Sequence, residues 1–203
     1  MEQDKKISLK GMAAASQFNK ERDYWLNRFS GELVKSIFPP DFEQPASQNP
    51  GVADKNIQTV KFRFDGDFFA RLMKLRNGLD STLHMVLAAG TVLLLAKYTG
   101  NNDIIVGTTI LKQENDANFI NTVLALRNRL ESHMTFKDLL LQVRQIIMEA
   151  VTHQNYPLEK LLYQLDIPAT PGSFPLFDTG VILQNIHERN YFRHINLNIL
   201  FSF

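Results

Sequence analysis

The chain has 203 residues, 44% hydrophobic and 21% charged, the mix of one globular domain and not of a disordered tail. Lysine plus arginine (22) nearly balance aspartate plus glutamate (21), so no net field favours nucleic acid or an acidic membrane. The absence of cysteine excludes disulfides, thiolate nucleophiles, iron–sulfur clusters and thiolate zinc sites, and suits a reducing, cytoplasmic setting.

Residues 1–16, MEQDKKISLKGMAAAS, mix charges of both signs without the apolar stretch of a secretory signal, and read as an extension ahead of a domain spanning 17–203. Phe18, Trp25, Leu26 and Phe29 recur at helical spacing, and Gly31 stands where that helix would stop. All eight prolines lie in two zones, Pro39 to Pro50 and Pro157 to Pro175. The first makes 38–51 a proline-rich surface connection, and the chain between the zones is free to form long regular elements. Val60, Phe62 and Phe64 alternate with Thr59, Lys61 and Arg63 up to Asp65-Gly66, which predicts a strand. Asp67 is placed to cap a helix carrying Phe68, Phe69, Leu72, Met73 and Leu75, with Gly78 as its stop.

Ser81 or Thr82 is the expected cap of a second helix, Leu83 to Tyr98, apolar nearly all round and ended by Gly100. Its longest apolar run, Met85 to Ala96, falls short of the roughly 18–20 residues of a membrane span and predicts a helix buried in the core. Ile104 to Val106 reads as a strand covered on both faces. Asn118 to Leu130 alternates, with Asn121, Val123, Ala125 and Arg127 on one face and Ile120, Thr122, Leu124 and Leu126 on the other. Thr135 and Asp138 make a capping-box start for a helix striped by Phe136, Leu139, Leu140, Val143, Ile146, Ile147 and Val151. Pro157 opens a shorter helix to about Leu165, and Val181 to Leu183 sits in a further strand. The final segment alternates through Ile195, Leu197, Ile199, Phe201 and Phe203, and its lack of a polar tail suggests a domain truncated at its edge. Strands interleaved with helices predict an α/β or α+β class with a mixed sheet backed by helices.

The five histidines, His84, His133, His153, His187 and His194, show no metal-ligand spacing, so no metal is expected. His84 is expected in the first turn of a buried helix, satisfied by backbone or water. Dinucleotide, nucleotide and serine-hydrolase motifs are missing, and the basic residues are dispersed, so no bound cofactor and no nucleic acid are expected. Four blocks nevertheless carry polar residues in apolar surroundings: YTGNNDIIVGT from Tyr98, NFINTVLALR from Asn118, HQNYPLEKLL from His153 and PLFDTGVILQN from Pro175. Asn121 and Arg127 can look from one strand face toward a cleft or a partner surface, and Arg127 reads equally as a strand-end arginine. Gln184 and Asn185 can meet substrate amides where their strand opens, or simply end the strand. His153 fits a helix C-terminal cap better than a base.

The order and spacing of these blocks, with the YWL helix at Tyr24 to Leu26, resemble the carboxyl-terminal half of condensation domains of nonribosomal peptide synthetases, in the chloramphenicol-acetyltransferase-like superfamily. The resemblance runs from about Phe18 to Asn185: NFINTVLALR stands for the family's GxFVNTLALR, and HQNYPLE for HQDYPFE. It departs from the family at three places. No HHxxxDG motif is present; the one Asp-Gly, Asp65-Gly66, has Val60 and Lys61 where the histidines would stand. The stretch from Thr108 to Asn115 reads TTILKQEN in place of the small-residue and arginine pattern usual after VGTP, and RDxSRxPLF is replaced by TPGSFPLF.

The resemblance implies one lobe of a two-lobed fold whose tunnel joins carrier-bound thioesters. The partners are then peptidyl and aminoacyl carrier proteins with phosphopantetheine arms, the N-terminal lobe and adjacent synthetase domains. No catalytic residue is expected here, and Asn121, Arg127, His153, Gln184 and Asn185 become candidates to line the tunnel or touch the other lobe. The alternatives are a non-catalytic docking module for carrier protein or synthetase domains, and a lobe of a heterocyclisation, epimerisation or other acyltransferase domain. A lobe without its mate is expected to expose an apolar face and self-associate.

Overall fold

The computed structural model describes residues 18–38, 58–76, 78–112, 121–168, 174–192 and 195–203. The expected extension 1–16, the proline-rich connection beyond residue 38, residues 118–120 of the second polar block and His194 lie outside them.

The first helix, α1, is described over residues 18–28, and it sends Trp25, with Phe29 just beyond it, into the core as the apolar spacing requires. Two helices follow, α2 (Gly66–Arg76) and α3 (Asp80–Thr99). α3 buries Leu83, Val86, Ala88, Ala89, Val92 and Leu95, and Gly100 ends it in the left-handed region (φ 69°), which costs glycine little. Its 20 residues match a membrane span in length and composition, but 56% of its most apolar window is buried inside the protein. α4 (Phe136–Thr152) starts at the expected capping box: Thr135 accepts from the Asp138 N–H, and the Asp138 carboxylate accepts from the Thr135 N–H. Leu139, Val143, Ile146 and Ile147 form its buried stripe. Pro157 precedes the short α5 (Leu158–Gln164).

The strands β1 (Asp103–Thr109), β2 (Val123–Arg129), β3 (Thr179–Ile182) and β4 (Ile199–Ser202) form one mixed sheet in the order β2-β1-β3-β4. β1 and β2 are antiparallel, with Val106 opposite Leu126, whereas β1 with β3 and β3 with β4 run parallel. The parallel step from β1 to β3 is spanned by α4 and α5, and a 3₁₀ turn (Arg189–Phe192) precedes β4. α3 packs on α4 and on β1, and α4 on β2. Gly107 is required where β1 meets Phe177, since a Cβ there would lie 2.1 Å from the ring.

Several expectations are corrected. Residues 58–65 are not a strand: they pair with no described strand and are exposed throughout, Val60 to 85% and Phe62 to 63%. Alternation produces a strand only when a ladder and a buried face reward it, and here Phe64 instead stacks on Phe203 (6.3 Å between ring centres). α2 forms, but buries none of its residues. Asp67 lies inside the first turn of α2, and α3 starts from Leu79 without a side-chain cap, so Ser81 and Thr82 are helical residues, not caps. β2 is buried at every position from Val123 to Asn128, and the final strand covers only Ile199–Ser202, so alternation overstated both the amphipathicity of the one and the length of the other.

Candidate functional site

Asn121 stands just before β2, where the chain arrives at the edge of the sheet. Its side-chain amide donates to the carbonyls of Gln154 (2.8 Å) and Tyr156, and its Oδ1 accepts from the Leu158 N–H (2.9 Å). One side chain thereby closes the α4–α5 turn onto the sheet. The turn is sealed further by Tyr156, whose buried hydroxyl donates to Gln164.

Arg127 lies near the other end of β2, only 3% exposed. Nε and Nη2 donate to Asp103 (2.9 and 2.6 Å), Nη1 to the Ser30 carbonyl (2.8 Å), and Nη2 also to the Glu32 carbonyl (2.8 Å). Burial would raise the Asp103 carboxyl, but the hydrogen bonds and charge of Arg127, with Arg129 adding to them, hold it below the usual carboxylate range. The arginine ties the segment leaving α1 to β1 and β2.

His153 is the C-cap of α4. Its Nδ1–H donates to the Glu149 carbonyl (2.8 Å), its own carbonyl accepts from the Trp25 indole (2.7 Å), and its ring stacks on Tyr24 (4.1 Å between centres, 9° between planes).

Gln184 and Asn185 follow β3 and are exposed. Gln184 donates to the Ser202 hydroxyl (2.7 Å), and Asn185 to the Asp80 carboxylate at the start of α3 (3.2 Å). Beneath them the fold assembles a group that residue spacing did not reveal, His84, Thr108 and His187, drawn from α3, β1 and the turn after β3. Thr108 donates to the Val181 carbonyl (2.9 Å) and so accepts from His84 Nε2–H (3.1 Å). His187 Nδ1 accepts from the Leu183 N–H (3.1 Å), and the two imidazoles meet edge to face (4.3 Å between centres). Burial, reinforced by His187, pushes His84 down to about 3. Burial, reinforced by Lys112, pushes His187 down to about 4. Both rings are neutral at physiological pH. His84 was expected to be satisfied by backbone or water; its partner is a threonine hydroxyl contributed by β1.

The five candidates therefore divide. The β1–β3 register puts Gln184 and Asn185 at the same end of the sheet as Asn121, and the bridge between Leu111 and His187 closes that end. Arg127 lies at the opposite end, on the order of 20 Å from Asn121 along an extended chain. His153 lies at the end of α4, beside the turn that Asn121 closes. Among the described residues no group of three or more histidine, aspartate or glutamate side chains gathers as a metal site requires. The described polar side chains at the Asn121 end mostly shape and hold the backbone; beside them lie the exposed amides of Gln184 and Asn185, the neutral imidazole pair, Lys112, which donates to the Gln184 carbonyl, and the Asp80 carboxylate.

Comparison with known proteins gives a consistent family. The family model described as Condensation domain matches residues 7–200. Tyrocidine synthase 2 of Brevibacillus parabrevis is 37% identical over 182 residues, which cover 87% of this chain and 5% of that protein. Bacitracin synthase 3 of Bacillus licheniformis is 38% identical over 175 residues, 83% of this chain and 3% of that protein. Among solved structures, the complex of the X-domain and OxyB from teicoplanin biosynthesis superposes with a TM-score of 0.68 at 22% identity, covering 82% of this chain and 37% of that one. The starter condensation domain of rhizomide synthetase RzmA gives 0.53 at 23% identity, covering 87% of this chain and 37% of that one. The chain thus spans a few per cent of the synthetases it matches and little more than a third of the solved chains.

Proposed function

From the premise that this chain belongs to the condensation-domain family, whose model matches residues 7–200, we propose that it is the carboxyl-terminal lobe of such a domain, which forms amide bonds between carrier-bound thioesters. In that reaction the acceptor amine attacks the donor thioester carbonyl, the tetrahedral intermediate collapses with loss of the phosphopantetheine thiolate, and the amine proton leaves to a base. The 203 residues contain no adjacent histidine pair, so the HHxxxDG base comes from the other lobe. This lobe contributes a pre-organised wall, and the exposed Gln184 and Asn185 are its candidates to face the substrate arms, while Asn121, committed to the α4–α5 turn, shapes the same end of the sheet. Arg127 and His153 serve the wall from behind by fixing α1 and α4.

The observation that carries this reading is the apolar face of residues 58–79. Phe62, Phe64 and Phe68 form one aromatic cluster with Phe203, and Phe69, Leu75 and Leu79 extend the exposed surface. A soluble surface rarely leaves so many large apolar side chains together in water. Since solved relatives are nearly three times longer than the matched region, the rest of the domain is the fitting occupant.

The test is to supply carrier-bound donor and acceptor to this chain alone, and to this chain co-produced with a lobe bearing HHxxxDG. No amide is expected from the first and product from the second; turnover by the isolated chain, lost on His153→Ala, would overturn the assignment. One observation favours a second reading, a docking module: the X-domain of teicoplanin biosynthesis is solved as a complex with OxyB. Binding of a synthetase-associated protein by the chain without any complementation would favour it.

A further inference from the structure

A solvent-open groove of about 440 Å3 lies at the Arg127 end of the sheet, lined by Tyr24, Asn27, Arg28, Arg127, Arg129 and Gln142. Three guanidiniums border it, and among the described residues no carboxylate lines it. Asp103 sits behind it, bound by Arg127 and Arg129, and Glu149 faces Tyr24 from α4, so positive charge stays in excess.

The three arginines are not equally committed. Arg127 spends its donors on Asp103 and on backbone carbonyls, so it contributes field but little binding capacity. Arg28 lines the groove, donates through Nη2 to the Arg127 carbonyl (2.8 Å) and pairs with no carboxylate among the described residues, so its guanidinium end, not its buried Nε–H, is what the groove can use. Arg129 is 63% exposed along its side chain, and its contacts with Asp103 and the Ser30 carbonyl are both long, 3.3 Å. Two guanidiniums, one from α1 and one from the end of β2, therefore keep donors for something outside the protein.

We propose that this groove binds a phosphate group between Arg28 and Arg129, with the Tyr24 hydroxyl and the Asn27 amide at its flank. A planar carboxylate is matched by one guanidinium fork, whereas donors converging from two elements suit the several oxygens of a phosphate. The Tyr24 hydroxyl stays protonated: burial pushes it up to about 12 against the charge of Arg28, and Glu149, which takes its hydrogen bond, adds to the rise. The phosphate can be the free anion or the phosphate of a pantetheine arm, and the site does not depend on the condensation reading.

Calorimetric titration of the 203-residue chain at constant ionic strength tests this, with inorganic phosphate, 4′-phosphopantetheine and pantetheine as separate ligands. Saturable phosphate binding is expected, weakened roughly tenfold or more by Arg129→Gln, as loss of a charged hydrogen bond implies. Arg144→Gln, on the exposed side of α4, should leave it unchanged. If Arg129→Gln compromises folding, Arg129→Lys carries the same test, keeping the charge while losing the fork. Tighter binding of phosphopantetheine than of phosphate, with pantetheine inert, assigns the arm as the source; equal affinity assigns the free anion. Absence of saturable phosphate binding, equal binding of pantetheine, or an equal loss in Arg144→Gln would refute the site.

Discussion

Replacing Arg127 with methionine asks whether the arginine of NFINTVLALR is a staple of the fold or a residue held for a ligand. Methionine roughly fills the buried volume but supplies no donor. The Glu32 carbonyl and the tighter half of the Asp103 pair lose their partner together, and the Ser30 carbonyl exchanges a 2.8 Å bond for the 3.3 Å contact with Arg129 that remains. Breaking a buried charge pair costs about 3–5 kcal/mol and an orphaned acceptor about 1–3. Arg129 remains at 3.3 Å from Asp103, which offsets part of the charge penalty. A destabilisation of about 4 kcal/mol follows, or about 2 M in urea midpoint at a slope of about 2 kcal/mol per molar. Trp25, the single tryptophan, lies on the helix that Arg127 anchors, so its fluorescence reports the transition directly. The sign with pH is fixed too. Asp103 is depressed in the folded state, so its pairing stabilises above the unfolded carboxylate pKa of about 4 and is lost as pH falls through the folded value. The difference between native chain and variant should therefore shrink in acid. A midpoint shift under about 0.5 M, or a difference that stays constant from neutral pH down to about pH 3, would refute the reasoning.

Three further outcomes are expected. Gly107→Ala drives a methyl into the Phe177 ring and should cost about 1–3 kcal/mol, with Phe177→Leu in the same chain recovering part of the loss in thermal melts. His84 and His187, lowered to about 3 and about 4, should show no ring titration by NMR above about pH 5, and stability should fall as pH drops from the unfolded histidine value of about 6.5 toward those values; a midpoint near 6.5 for either ring would contradict their burial. Asn121→Ala removes three hydrogen bonds from the α4–α5 turn, so we expect about 2 kcal/mol of destabilisation and early proteolytic cleavage within residues 153–158; unchanged cleavage would show that the turn holds itself.

The elements that were legible in the sequence are those whose local signals agree with their burial. α4 has a capping box, a stripe and a histidine cap, and all three are realised. α3 and β1, apolar on every side, announce burial without needing a partner to be known. The segment 58–65 alternates as cleanly as any strand in the chain, yet no described strand pairs with it, because alternation records only that one face is apolar and not what covers that face. The same gap separates α2, a correctly placed helix that buries nothing, from α4, whose stripe finds β2.

The polar residues of the four blocks show the corresponding limit at the site. Asn121 and Arg127 share a face by parity and were read together, but they act at opposite ends of β2 on different parts of the chain, one on the α4–α5 turn and one on the segment after α1. Their partners are backbone atoms far away in sequence, which no spacing rule encodes. His84 and His187 are brought together by the packing of α3 on β1 and β3 together with the parallel pairing of those strands, and their neutrality is a product of burial that composition cannot express. A polar residue inside an apolar strand thus marks a hydrogen-bonding demand that must be met by something. When the fold itself meets that demand, as for Arg127, the residue is structural; where a guanidinium is held only by long contacts and stays exposed, as at Arg129 beside it, the demand points outward.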